Sequence, residues 1–209
     1  MSAQIEHLVT SGTFSLDGGT WDVDNNVWIV CDDHEVVVID PAHNTDEVVA
    51  AVGTREVLAV LLTHGHDDHI RAAVDTANKL DAPILLNPAD RMLWDAVYDD
   101  VEPDAEISDG DVFTVAGAEL IALHTPGHSP GSTSFYAPSL GVVFTGDTLF
   151  QGGPGATGRS YSSFDTIIDS IRDRLLTLPA DTLVHTGHGD STKLGDEAPQ
   201  LQAWIDRGH

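Results

Sequence analysis

Short apolar runs separated by polar turns recur along the chain and predict a protein built from strands and helices. Two such runs, 27–31 and 35–39, flank the polar turn Asp32-Asp33-His34 and predict a pair of adjacent strands. A third run, 57–62, ends abruptly at a cluster of polar residues. The other predicted strands are 84–87, 112–115, 119–124, 133–136 and 142–145.

Apolar residues also recur at helical spacing, most clearly in segment 164–176. We assign the apolar stripe of this helix to core packing. It consists of Phe164, Ile167, Ile168, Ile171 and Leu175. Ser162 and Asp165 resemble a capping box at its start. The other predicted helices are 45–53, 68–80, 88–99 and 197–206. Strands in two runs, each followed by helices, are compatible with two sheets flanked by helices.

Size and composition indicate one domain over residues 1–209. A chain of 209 residues with 41% hydrophobic positions can bury a substantial core, and no linker or internal repeat divides it. The glycine-rich stretch 152–158 is too short for a domain linker. We interpret it as an active-site loop, and a floppy surface loop is the alternative.

The charge and the single cysteine narrow the class of protein. Nine basic residues against 34 acidic ones give a net charge of −25, so we expect neither nucleic acid nor a membrane as a partner. We interpret the acidity as a device for solubility or for a salt-rich host. The N-terminal twenty residues lack the pattern of a signal peptide, and Cys31 is expected to be a buried, inert thiol. Both features favour a cytoplasmic protein.

The most informative stretch is Thr63-His64-Gly65-His66-Asp67-Asp68-His69, which directly follows the apolar run 57–62. Histidines at i and i+2 of an extended segment face the same side and can bind one cation. A helix beginning near Asp67 would direct Asp68 and His69 towards a second cation. Imidazoles and carboxylates without cysteine suit zinc, iron or manganese rather than a closed structural zinc site. The alternative is a solvated His-rich loop, since the chain has 11 histidines.

Further candidate ligands occur where later apolar strands end in glycine-containing turns. The blocks are Thr125-Pro126-Gly127-His128-Ser129-Pro130-Gly131-Ser132, Phe144-Thr145-Gly146-Asp147-Thr148-Leu149-Phe150 and Gly187-His188-Gly189-Asp190-Ser191-Thr192, with Gly158-Arg159-Ser160 between the last two. Together with the first motif they resemble the metallo-β-lactamase superfamily and, within it, short glyoxalase II-like hydrolases. The matches run in family order from about Asn26 to Glu197. The resemblance implies an α+β fold, a four-layer αββα sandwich with metals at one edge between the sheets.

The resemblance also implies two divalent metal ions, zinc first and iron or manganese as alternatives. The ligands it implies are His64, His66 and His128 for the first ion, Asp68, His69 and His188 for the second, and Asp147 as the bridge. Asp68 and Asp147 are therefore the catalytic candidates. Two cations about 3.5 Å apart lower the pKa of a shared water towards about 7, so that a bridging hydroxide can attack a carbonyl.

The activity favoured by this site is hydrolysis of a small thioester. A thiolate leaves without protonation, which makes thioesters suitable substrates for a site that lacks an evident strong general acid. Full-length glyoxalase II enzymes bind glutathione through a C-terminal helical domain, whereas only 21 residues follow His188. The thiol carrier therefore stays open, with mycothiol and bacillithiol included. The alternatives are a persulfide dioxygenase with one iron, a lactonase, and a non-catalytic metal-binding domain.

Several residues near the motifs have two interpretations each. Asp40 either orients a metal-bound imidazole or simply ends its strand in a turn. His43 either lines the pocket or lies at the surface, and Asp67 is expected to be solvated. We expect His124 and His185 to be structural. The candidates for substrate contact are Arg159, Tyr161, Trp21 and His43, with packing as the alternative for the aromatic side chains.

Overall fold

A computed structural model describes residues 2–208, in which the strands form two six-stranded sheets and a short ribbon. The strands are β1 (Gln4–Leu16), β2 (Gly19–Cys31), β3 (Glu35–Ile39), β4 (Glu56–Leu61), β5 (Ile84–Leu86), β6 (Ala105–Glu106), β7 (Val112–Val115), β8 (Ala118–His124), β9 (Thr133–Ala137), β10 (Val142–Gly146), β11 (Leu149–Phe150), β12 (Gly153–Pro154), β13 (Leu183–Thr186) and β14 (Thr192–Lys193). The first sheet has the order β1-β2-β3-β4-β5-β6 and the second β14-β13-β10-β9-β8-β7. The neighbouring strands β3, β4, β5 and β6 are parallel to one another, and β10 is parallel to β13. All other neighbouring strands in the two sheets are antiparallel.

Helices cover the outer faces of both sheets. They are α1 (Thr45–Val52), α2 (Asp67–Ile70), α3 (Ala73–Leu80), α4 (Arg91–Asp95), α5 (Phe164–Ser170), α6 (Leu194–Glu197) and α7 (Leu201–Arg207). Short 3₁₀ turns occupy Pro88–Asp90, Pro138–Leu140 and Ala198–Gln200, and a π-helical turn occupies Ile171–Leu175. Within residues 2–208, every helix is too short or too polar to cross a bilayer.

The burial pattern explains why the sheets stack. In β3, Val37 and Ile39 belong to the cluster between the two sheets, whereas Val36 and Val38 belong to the cluster under α1. A strand buried on both faces reads as one continuous apolar run, which is why 35–39 was predictable. On the far side, Ile167 and Trp204 pack α5 and α7 against the second sheet. The predicted α+β fold, a four-layer αββα sandwich, is confirmed.

The long hairpin of β1 and β2 was not predicted. Its register runs from Gln4 opposite Cys31 to Leu16 opposite Gly19, so only Asp17 and Gly18 form the turn. Both turn residues have positive φ, 52° and 78°, as a two-residue hairpin turn requires. The Asp-Gly pair was the available signal, but the outer half of the hairpin is largely exposed and shows little apolar alternation. Cys31, at the end of β2, is buried as expected.

Predicted helices were longer than those observed. Segment 68–80 breaks into α2 and α3 because the backbone N–H of Ala72 donates to Ala42 O (3.1 Å) rather than continuing the helix. Segment 88–99 contains only a 3₁₀ turn and α4. Ser163 caps α5 by accepting from the backbone N–H of Thr166 (3.4 Å), so the assignment of the cap to Ser162 was wrong.

Candidate metal centre

The seven ligand candidates meet at one edge of the sandwich, where several strands end. His64 and His66 follow β4, and Asp68 and His69 begin α2. The other three, each in the loop after a strand of the second sheet, are His128, Asp147 and His188. The first five in chain order are at most 7% exposed. The strand ends therefore bring residues from distant parts of the chain into one buried cluster.

Three imidazole nitrogens form the first group. His64 Nε2 lies 3.1 Å from His66 Nδ1, which lies 2.9 Å from His128 Nε2. Two ligands bound at 2.0–2.1 Å to a tetrahedral zinc ion are about 3.3 Å apart. The nitrogens thus have the spacing of atoms that share one cation.

The second group combines two imidazoles with a carboxylate. His69 Nε2 lies 3.3 Å from His188 Nε2, and Asp68 Oδ2 lies 3.2 Å from His188 Nε2 and 3.6 Å from His69 Nε2. Their mixed donor set suits zinc, iron or manganese alike. This group has the composition and spacing of a second cation site.

Asp147 connects the two groups. Its Oδ1 lies 3.4 Å from His69 Nε2, and its Oδ2 lies 3.4 Å from His188 Nε2 and 3.5 Å from His128 Nε2. Among the residues described, the buried Oδ1 has no hydrogen-bond partner. A buried carboxylate oxygen without a donor needs a compensating cation. The donor set and this unpaired oxygen fit a bound metal pair.

Hydrogen bonds fix the tautomer of four of the five imidazoles. Each of the four donates from Nδ1, so that Nε2 faces the cluster. The bonds are His64 to Thr63 Oγ1 (3.1 Å), His69 to Asp40 Oδ2 (3.0 Å), His128 to Ala156 O (2.9 Å) and His188 to Asp24 O (2.7 Å). The rings are therefore held in the orientation that a metal ion needs before any ion binds.

Asp40 is itself tightly held. It accepts from the backbone N–H (2.8 Å) and the hydroxyl (2.6 Å) of Thr63, and its φ of 51° lies in the left-handed region. A non-glycine residue in this conformation is strained, which the three hydrogen bonds offset. Its contact with His69 Nδ1 is the one expected of a carboxylate that orients a ligand.

The pKa values of the cluster show how its carboxylates and imidazoles affect one another. Burial raises the pKa of Asp68, but His69 and His188 outweigh burial and lower this pKa to about 2. Burial opposes a proton on His188, but Asp147 and Asp68 raise the pKa of His188 to about 10. Burial and the neighbouring His128 lower the pKa of His66 to about 3. In the metal-free cluster, protons therefore balance the carboxylates, and metal ions would compete with these protons.

Two glycines allow the backbone to approach the ligands. A Cβ at Gly187 would overlap Asp147 Oδ1, and a Cβ at Gly155 would overlap the carbonyl oxygen of Asp147. Gly155 belongs to the loop 152–158, whose Gly152 N–H donates to the buried Glu197 (3.0 Å) and whose Ala156 carbonyl holds His128. These contacts support the interpretation of 152–158 as an active-site loop rather than a floppy one.

Two polar residues at the site were not predicted. Asn25 is fully buried, donates to Asp68 Oδ2 (3.0 Å) and accepts from His43 Nε2 (2.8 Å). Asp90 is fully buried and accepts from Gly65 N–H (2.8 Å), Ser129 Oγ (2.6 Å) and Gly131 N–H (2.5 Å). The only sequence signal for Asn25, which lies within β2, was its position two residues before the apolar run 27–31. No local signal marked Asp90, because its partners are distant in the chain.

Three further histidines and Asp67 make contacts that do not involve the cluster. His43 is half-buried beside Asn25 and does not line the cleft described below. His124 binds Pro130 O (2.9 Å) and His185 binds Ser191 Oγ (2.9 Å), as expected of structural histidines. The expectation that Asp67 is solvated was wrong. Its carboxylate is only 10% exposed because it accepts from Ser15 N–H (3.0 Å) and pairs with Arg71.

A cleft of about 250 Å³ opens onto the cluster. Asp68, Asp147 and His188 form its floor, and Trp21 and Arg159, both predicted to contact substrate, line it together with Phe14. Tyr161 lies outside the cleft and is 57% exposed. Tyr161 lies within the turn closed by Ser162 N–H and Arg159 O (3.2 Å), two residues after Arg159. The substrate contacts of Trp21 and Arg159 stay predictions.

Comparison with known proteins agrees with this geometry. The family model described as the metallo-beta-lactamase superfamily matches residues 20–188. The probable metallo-hydrolase YqgX of Bacillus subtilis is 35% identical over 190 residues, which are 84% of this chain and 90% of that protein. The hydroxyacylglutathione hydrolase GloC of Haemophilus influenzae is 32% identical over 181 residues, 79% of this chain and 85% of GloC. The crystal structure of TTHA1623 in a di-iron-bound form has a TM-score of 0.75 and 32% identity and covers 91% of this chain and 97% of that one.

Proposed function

Because this chain belongs to the metallo-beta-lactamase superfamily, we propose that it is a binuclear metal-dependent hydrolase of a low-molecular-weight thioester. The observation that carries the proposal is the position of Asp147 between two groups of three donors, within 3.5 Å of an atom of each group. A site for a single ion would not need a carboxylate in this position. The similarity to GloC, named a hydroxyacylglutathione hydrolase, supports the thioester class.

The residues of the chain have distinct parts in this function. His64, His66 and His128 would hold one ion and Asp68, His69 and His188 the other, with Asp147 between them. The bound ions would supply a water of lowered pKa and polarise the carbonyl of the substrate. Asp40 and the backbone carbonyls of Asp24 and Ala156 keep the imidazoles oriented throughout.

The surroundings of the cluster also support the thioester class. The residues that line the cleft are the ligands, aromatic and small apolar side chains, and Arg159. A leaving alkoxide or amine needs a proton donor, whereas a thiolate with a pKa of about 8.5 leaves as the anion. We propose zinc as the native metal, with iron as the alternative that the di-iron TTHA1623 structure supports.

Metal analysis and substrate assays on the same sample test the proposal. We expect protein purified without added metal to contain two metal ions per chain and to release thiol from acyl thioesters. His188→Ala should lose one of the two ions and most of the activity. His34→Ala is the matched control, because His34 is exposed on a turn remote from the cluster.

Other outcomes would assign another reaction. Oxygen uptake with a thiol persulfide, together with one iron per chain, would identify a persulfide dioxygenase and overturn the proposal. Turnover of acyl lactones without thioester cleavage would identify a lactonase. A fully metal-loaded protein without turnover of any of these substrates would leave only a metal-binding role.

A further inference from the structure

The mouth of the cleft contains one strongly basic side chain. Among the cleft-lining residues that the structure describes, Arg159 is the only lysine or arginine. Its guanidinium carbon lies 4.0 Å from the ring centroid of Trp21 and 5.5 Å from that of Phe14. Both aromatic residues belong to the hairpin of β1 and β2, so Arg159 joins the hairpin to the loop after β12. Stacking uses the faces of the guanidinium and leaves its N–H edge for hydrogen bonds.

Arg159 differs from other arginines of this acidic chain. Five of them form ion pairs with carboxylates: Arg55 with Glu6, Arg71 with Asp67, Arg91 with Asp95, Arg172 with Asp169 and Arg174 with Asp109. Within residues 2–208, no carboxylate lies within 4.0 Å of the guanidinium nitrogens of Arg159. In a chain with 34 acidic residues and nine basic ones, an arginine without such a partner is a notable exception.

Asp17, the acidic residue at the hairpin tip, is engaged elsewhere. Its Oδ2 accepts from the backbone N–H of Ser160 (3.0 Å), and its Oδ1 accepts from the hydroxyl of Ser160 (2.6 Å). These two bonds fasten the hairpin tip to the residue next to Arg159. They hold the arginine over the cleft, and the charge of Asp17 acts on the guanidinium only from beyond the 4.0 Å of an ion pair.

We propose that the substrates of this cleft are thioesters that carry a carboxylate, and that Arg159 binds this carboxylate. The inference deepens the proposed hydrolase function and depends on it for the identity of the reaction. The planar fork of a guanidinium matches the two oxygens of a carboxylate. The cleft of about 250 Å³ is smaller than the usual site for a drug-sized ligand. The carboxylate therefore lies within a few bonds of the thioester, and Trp21 and Phe14 cover the chain between them.

Isosteric substrate pairs test this assignment. One pair is S-acetylthioglycolate and S-acetylthioglycolamide, with the charge on the thiol side. The other is the methanethiol monothioester of succinate and that of succinamic acid, its monoamide, with the charge on the acyl side. We expect the metal-loaded enzyme to prefer the carboxylate in at least one pair by roughly ten- to a hundredfold in kcat/KM, the value of a charge-assisted hydrogen bond.

Variants of Arg159 separate recognition from chemistry. Arg159→Gln should abolish the preference, so that the carboxylate and the amide of each pair are cleaved with similar kcat/KM. Arg159→Lys, which keeps the charge but loses the planar fork, should retain part of the preference. Arg172→Gln removes the same charge from an exposed surface pair and should change nothing. Equal turnover of both members of each pair, or a preference that survives in Arg159→Gln, would overturn the inference.

A binding measurement covers the case in which no thioester is cleaved. S-ethylthioglycolate and its amide are thioether analogues that cannot be hydrolysed. Quenching of tryptophan fluorescence reports their binding beside Trp21, which is 41% exposed. We expect the wild type to bind the carboxylate at least about tenfold more tightly than the amide. Arg159→Gln should bind both analogues equally weakly. This result without thioester turnover would refute the reaction and keep the recognition role of Arg159. Equal binding of both analogues to wild type would refute that role.

Discussion

Asp147 lies between the two groups of candidate metal ligands. Asp147→Ala removes a carboxylate that lies within 3.5 Å of an imidazole nitrogen in both groups. We expect metal affinity to fall by more than the 10- to 100-fold loss typical of residues that only support a ligand. Metal content and turnover should fall together, as measured by elemental analysis and thiol release. Asp190→Ala, at an exposed carboxylate near His188, is the control. Two ions per chain in Asp147→Ala would exclude a bridging role.

His185 makes the fold sensitive to acid independently of the metal ligands. Its ring stacks on Trp28 (4.2 Å between centroids), and burial lowers its pKa from 6.5 to about 4. As the pH falls, the unfolded chain therefore takes up this proton before the folded chain does. The stability that neutral His185 contributes above about pH 6.5 is lost progressively between pH 6.5 and about 4.

His185→Phe should preserve the stacking and remove this loss. Urea unfolding of the metal-free protein between pH 7.5 and 4.5 measures the effect. The free energy of unfolding of the variant should decline less than that of the wild type over this range. His34→Phe, at an exposed position, should follow the wild type. If the His185→Phe and wild-type curves are parallel, another group causes the acid sensitivity.

Ligand residues were predictable because their signals are local. His64 and His66 follow a buried strand at spacing i and i+2, and Asp147 and His188 follow glycines that end apolar strands. Asn25 and Asp90 were not predictable, because each acts only through residues that folding brings next to it from distant segments. A buried amide or carboxylate of this kind resembles an ordinary polar residue until its partners are known.

At the level of elements, one 3₁₀ turn connects two ligand-bearing loops. Asp90, in the turn between β5 and α4, binds Gly65 from the first loop and Ser129 and Gly131 from the second. Asp90→Asn keeps the size of the side chain but replaces one carboxylate oxygen with an NH2 group. This group cannot accept the hydrogen bonds that Gly65, Ser129 and Gly131 donate. We expect the free energy of unfolding to fall by about 1–3 kcal/mol.

The metal sites should respond unequally to Asp90→Asn. The two loops carry His64, His66 and His128, so metal titration should show weaker binding at this group than at the group of Asp68, His69 and His188. Asp95→Asn, which affects an exposed pair with Arg91, should change the unfolding free energy by less than about 1 kcal/mol. Equal weakening of both metal sites would mean that Asp90 does not act through these loops.

Elements differed in how well the sequence predicted them. Strands buried on both faces, such as β3 and β4, were recognised because they form unbroken apolar runs. The outer half of the hairpin was missed because its stability comes from cross-strand pairing rather than from a buried face. Helix ends were displaced where tertiary hydrogen bonds, such as that from Ala72 to Ala42, override helical propensity.

For the whole molecule, the net charge of −25 predicts a strong dependence of stability on salt. Mutual repulsion among the acidic residues destabilises the folded state, and the Debye length shrinks from about 10 Å at 0.1 M salt to about 3 Å at 1 M. We expect Tm to rise between 0.05 and 2 M KCl, by about 2–4 °C for each kcal/mol recovered. Differential scanning fluorimetry measures this shift.

A double variant separates charge screening from general salt effects. Asp99→Asn with Asp100→Asn removes two exposed charges. Its Tm should exceed that of the wild type at 0.05 M KCl and equal it at 2 M KCl, because screening then makes the removed charges irrelevant. A gain of the same size at both salt concentrations would show that repulsion is not the cause.

The hairpin tip and the loop that carries Arg159 form the entrance of the cleft, and the candidate metal ligands form its base. Asp17 and Ser160 meet across the entrance, while the metal ligands extend from strand ends beneath it. Between Phe14 and Trp21, the tip reaches the helix of Asp68 and His69 through Ser15 N–H, which donates to Asp67 (3.0 Å). A foreign tip that keeps Ser15 and Asp17 could therefore reshape the entrance of the cleft while the candidate ligands below it stay in place.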